Sequence, residues 1–152
     1  MSEPQRIADQ LRRAHRGEAW HGPALRQLLA GVNARAAARR PLPGAHSIWE
    51  LVLHITAWQN IARRRLESRR AVKVTTQQDW PPVTATAPAA WRKARAALED
   101  SARKLQRAVE RFDEARLEKR VPGKNHSFYV MLHGAVQHSA YHAGQIALLK
   151  KT

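Results

Sequence analysis

At 152 residues with 43% hydrophobic content, the chain is long enough to bury a core without staples and is expected to form one domain, 1–152. It has no cysteine, which excludes disulfides, a thiolate metal site and a cysteine nucleophile. Its 27 Lys and Arg against 12 Asp and Glu give a net charge of +15, which attracts polyanions, while the absence of a long apolar run and the polar leading stretch MSEPQRIADQLRR point to a cytoplasmic chain with no membrane partner.

The hydrophobic pattern is helical nearly throughout and no segment alternates as a strand does, so the expected fold class is all-α. A first helix is expected from about Glu3 to Arg16, striped by Ile7, Leu11 and Ala14 and stopped near Gly17. In WHGPALRQLLAGV, Pro23 suits a first helical turn, Leu25, Leu28 and Leu29 bury, and Gly31 ends the segment. PLPG at 41–44 forces a turn. HSIWELVLHITAW holds the clearest start signal: Ser47 can cap a helix while Glu50 reaches back to its amide. The helix that begins at Ile48 is expected to run to about Arg70, roughly 33 Å long, with Leu51, His54, Ala57, Trp58 and Ile61 on its inward face.

Residues 71–88, rich in proline and threonine and without helical period, form a long connection that allows a crossover. The next helix starts near Pro88, turns Trp91, Ala94, Leu98, Leu105, Val109 and Phe112 inward, and ends before the VPGKN turn at 121–125. The last begins at Ser127 or Phe128 and runs to Lys150, with Met131, Ala135, His138, His142, Gln145 and Leu149 as its inward line. Helices of these lengths suit a four-helix bundle with its long connection between helices two and three.

The basic residues scatter over the polar positions of these helices, and no nucleic-acid-reading motif lies among them. Their densest run, Arg63-Arg64-Arg65 with Arg69, Arg70 and Lys73, falls where a helix ends and cations favour its dipole. A solvated surface is the expected role, with a nucleic-acid partner as the alternative.

Histidines carry the chemistry. HSAYHAGQI places His138 and His142 four residues apart on one helix face, but two imidazoles rarely hold a metal alone and the spacing decides nothing by itself. His54, mid-face on the helix from Ile48, is the third ligand that an antiparallel pairing would bring to the same level. Three polar rings at core positions each need a partner, and one shared ion satisfies all three. Ser139 stands where an HExxH protease carries its glutamate, and the repeated ExxH pairs of a di-iron bundle are missing, so a mononuclear site is left. Three neutral imidazoles leave a coordination position open for water or an incoming thiolate. Gln145 is the candidate for a hydrogen bond to the site or the substrate. Tyr141, Trp58 and Trp20 are candidate pocket residues, with packing weighed against each. His15, His21, His46, His126 and His133 are assigned surface or packing roles.

The stretches EAWHGPALRQLLAGV, HSIWELVLHITAW and LHGAVQHSAYHAGQIALLKK together resemble the DinB-like superfamily of metalloenzymes, also called DinB/YfiT-like, over nearly the whole chain. The resemblance implies a four-helix bundle, frequently a homodimer, and a divalent ion, zinc or nickel, held at the positions of His54, His138 and His142. It further implies a thiol-dependent S-transferase or isomerase in which the metal activates a low-molecular-weight thiol against an electrophilic substrate. The open position also allows a hydrolase using metal-bound water, and the alternative is a basic nucleic-acid-binding or stress-related bundle in which the metal is only structural. A cysteine-free chain fits an external thiol.

Overall fold

The computed structural model describes residues 1–152, and its regular structure is entirely helical apart from one isolated bridge between Arg120 and Ser127. In chain order the helices are α1 (Glu3–Arg16), α2 (Leu25–Leu29), α3 (Ala34–Ala38), α4 (Ile48–Glu67), α5 (Thr76–Asp79), α6 (Pro88–Glu110) and α7 (Phe128–Leu149), with a 3-10 turn at Glu114–Arg116.

Side chains that accept orphan backbone N–H groups set where the helices begin. The Ser47 hydroxyl accepts from the Glu50 N–H at 3.2 Å while the Glu50 carboxylate accepts from the Ser47 N–H at 2.7 Å, so α4 starts at Ile48 as its sequence predicts. Ser127 caps α7 through the Val130 N–H. The end of α4 differs from expectation: it stops at Glu67, three residues short of Arg70. Ser68 turns extended, and its hydroxyl both donates to the Arg70 carbonyl and accepts from the Arg70 N–H, a local pairing that competes with another helical turn.

Two short helices escaped the sequence pattern because five and four residues are too few to show a 3.6-residue period. Each is held by its cap: Asn33 accepts from Ala36 N–H before α3, and Thr75 accepts from Gln78 N–H before α5.

The apolar faces sort into two clusters along the long helices. One joins Ile48, Leu51 and Ile55 of α4 to Trp91 and Leu98 of α6 and to Ala143 and Ile146 of α7. The other joins Ala62 and Leu66 of α4 to Leu105 and Val109 of α6, Leu132 of α7, and Ile7 and Leu11 of α1. The start of α4 therefore meets the start of α6 and the end of α7: α4 and α6 run parallel, and α7 runs against both. Glu3 beside His133 and His15 beside Glu99 set α1 parallel to α7. A parallel α4–α6 pair cannot be joined by a tight turn, which is why residues 68–87 must travel back along the helices. No helix is long and apolar enough to cross a membrane.

The inward line expected for α7 is rotated. Leu132, Ser139, Ala143 and Ile146 are its most buried positions, whereas Met131, Ala135, His138 and Gln145 are half-buried. The histidine face is turned from the apolar seam toward a cavity, where polar rings cost less than they would between leucines.

Replacing Ser47 by Ala removes a buried cap and should lower unfolding free energy by about 1 kcal/mol, with an unchanged slope in urea denaturation of the metal-free protein.

Candidate functional site

His54 comes from the middle of α4, and His138 and His142 come from successive turns of α7; the antiparallel packing of these helices brings the three rings together. The Nε2 atom of His138 lies 3.0 Å from that of His54 and 3.0 Å from that of His142. All three donor atoms fall within 4.8 Å of one another. His54 and His142 are buried and His138 is half-buried.

The remaining ring nitrogens fix which atoms face the centre. His54 Nδ1 donates to the backbone carbonyl of Asp79 at 2.7 Å, and His142 Nδ1 donates to Gln145 Oε1 at 2.6 Å. Both rings therefore present an unprotonated Nε2 inward. A single proton on His138 Nε2 cannot bridge both 3.0 Å contacts well, whereas one cation accepts all three lone pairs. Bonds of about 2.0–2.1 Å to an ion put neighbouring nitrogens about 3 Å apart, so the donor set fits a divalent metal.

Electrostatics favour the same state. Burial pushes His138 down to about 4, helped by repulsion from His142 and His54. Burial also lowers His54, against the opposing effect of Asp79, and lowers His142 against its bond to Gln145. At neutral pH all three are uncharged, as metal ligation requires.

The connection between α4 and α6 completes the site through Asp79 and Trp80, which sequence reasoning left in an unassigned loop. Besides its carbonyl on His54, Asp79 places Oδ1 at 2.7 Å from Trp58 Nε1, whose N–H donates to it. The Trp80 ring stacks on His54 at 3.8 Å and on His46 at 3.7 Å. The available signal was the Thr75 cap motif, TTQQ, which starts the one helical turn that delivers DW to the histidines.

A cavity of about 510 Å³ opens beside the three histidines, lined also by Trp58, Tyr141 and Arg65. Gln145 contacts His142, and Trp58 lines the cavity. Tyr141 is mostly exposed, with its ring 5.1 Å from that of His142 at the cavity edge. Trp20 requires correction: it is fully exposed in the turn after α1 and does not line the cavity, because Gly17 and the positive φ of Glu18 turn the chain outward there. Arg65 requires the opposite correction. It belongs to the run assigned to solvent, yet it is 5% exposed, eleven residues and so three turns beyond His54 on the same face of α4. Of the other histidines, His15 packs in the interior and His126 lines the cavity, while His46 is exposed against Trp80.

A family model of the DinB superfamily matches residues 19–146. The chain belongs to the DinB superfamily. Neither the curated proteins nor the solved structures gave a match to it.

Because His15, His54, His138 and His142 all titrate below the ordinary histidine value, the unfolded chain binds more protons than the folded one in mildly acidic solution. Stability of the metal-free protein should be complete above about pH 6.5 and fall as the pH drops from there toward about 4. Thermal melts in chelator across that window check this; a flat profile contradicts the burial of these rings.

Proposed function

We propose that the four long helices form the four-helix bundle of the DinB/YfiT-like type around one divalent ion, zinc or nickel, held by His54, His138 and His142. The observation that carries this is the mutual approach of three inward-facing Nε2 atoms whose outer nitrogens are committed to Asp79 and Gln145. A bound ion supplies Lewis acidity and lowers the pKa of water or a thiol in its open position. We infer a metal-dependent transferase or hydrolase that uses a low-molecular-weight thiol or water against an electrophilic small molecule.

The chain's own residues supply positioning. Asp79 and Gln145 hold two imidazoles in the ligating tautomer. Trp80 covers one face of His54, shields it from water and limits its rotation. Trp58, hydrogen-bonded to Asp79, forms a rigid apolar wall that orients a substrate beside the open side of the centre. No cysteine competes with an external thiol for the metal.

Elemental analysis of gently purified protein should find one divalent ion per chain, lost on His54→Ala or His142→Ala. Gln145→Ala should weaken metal affinity by about 10–100-fold by freeing the outer nitrogen of His142. A screen for thiol consumption with electrophiles should give turnover that chelation abolishes. Retention of metal by both histidine variants would refute the assignment.

A further inference from the structure

The cavity beside the histidines has a second polar end that metal ligation does not use. Arg65 lines that cavity and is 5% exposed. Its Nε is buried with no hydrogen-bond partner, and no carboxylate of the chain pairs with its guanidinium. Its neighbours in the arginine run differ in their pairing: Arg63, whose Nε is likewise buried without a partner, reaches Glu67 through Nη1 at 2.9 Å, and Arg64 is exposed. A guanidinium keeps its charge at neutral pH, so an unpaired one in the interior is costly unless something outside the chain completes it.

The surroundings orient it for that purpose. The guanidinium carbon sits 5.5 Å from the centre of the Trp58 ring, a cation–π contact that occupies none of its N–H donors. That ring is in turn 6.0 Å from the His138 ring. The two polar ends of the cavity are thus no more than about 12 Å apart, the reach of about three extended residues. The acidic side chain of the lining, Asp79, is engaged by Trp58 and His54 at the histidine end. Gln59, also in the lining, is held through its Oε1 by the Ser101 hydroxyl at 2.5 Å, and its amide nitrogen donates to no protein group.

We propose that Arg65 binds an oxyanion, a carboxylate or phosphate, carried by the small molecule that reacts at the three-histidine centre, with the amide of Gln59 as a second donor. This rests on the metal reading for what happens at the other end of that molecule, but the anion site itself does not need the metal. The substrate or cosubstrate class is therefore a small organic anion whose reacting atom and charged group are separated by the length of the cavity.

Ligand-observed NMR titration with hexanoate and with hexan-1-ol, on the metal-free protein at pH 7, tests the anion site directly. Hexanoate should bind at least about tenfold more tightly than the alcohol, the scale of a charge-assisted hydrogen bond. Arg65→Met should abolish that preference, whereas Arg64→Met, which removes the same charge from the exposed neighbouring position, should leave it intact. Arg65→Met should also melt at an equal or higher temperature than the parent, since it replaces an unpaired buried charge by an apolar chain of similar reach. Equal binding of acid and alcohol, or equal loss in both variants, would overturn the proposal. His54→Ala separates the two readings: it should lose metal and keep the hexanoate preference. In the metal-loaded protein, 6-mercaptohexanoate should outbind 6-mercaptohexan-1-ol, and Arg65→Met should erase the difference. If it does not, the oxyanion does not bind together with the reacting end, and the link to the metal centre is overturned.

Discussion

The structure depends on one constraint: two antiparallel helices must bury three imidazoles at their seam without leaving them unpaired. Apolar contacts alone could hold α4 against α7, as they do at both ends of the seam, where Leu51, Ile55 and Ile146 share one core cluster and Leu66 and Leu132 share the other. Between those ends the seam opens into the cavity that the three histidines line. Desolvation disfavours the charged form of the rings and, with repulsion from His142 and His54, pushes His138 down to about 4. The same depression keeps the lone pairs available, so the feature that weakens the fold equips the site.

The outer hydrogen bonds tie a mostly exposed segment with little helix to the site at Asp79. Asp79 reaches His54 through its carbonyl and Trp58 through its carboxylate, so one residue of the α4–α6 connection fixes both a histidine of the cluster and the cavity wall. The parallel arrangement of α4 and α6 forces the chain to travel back along the molecule, and the site uses that passage. Without the Asp79 carbonyl on its Nδ1, the His54 ring would be freer to rotate.

Much of this was legible in the residues. The Ser47–Glu50 capping box located the start of α4, and the i,i+4 histidines of α7 with His54 named a donor set that the structure brings within reach of a common point. What was hidden has physical causes. α5 is a single turn, too short for periodicity, and Asp79 acts partly through its backbone carbonyl, an atom every residue possesses and composition cannot flag. Arg65 was hidden among like neighbours. Its position in a basic run suggested solvent, whereas its 100° rotation from Arg64 turns it inward. Trp20 failed in the other direction, since its size suggested burial but the turn after α1 leaves it outside.

The connection between α4 and α6 is held at two places of different kinds. Near its start, Ala71 meets Gly123 of the α6–α7 turn so closely that a side-chain carbon at Gly123, which also has φ of +75°, would overlap the alanine methyl. Near its middle, Trp80 is clasped by His46 and His54. Beyond Pro81 the chain from Thr84 to Ala87 is exposed. Changes of length should therefore be tolerated best in that last stretch, beyond both anchored points. Diversification of the entrance to the cavity would then proceed by exchanging single side chains rather than by remodelling the loop.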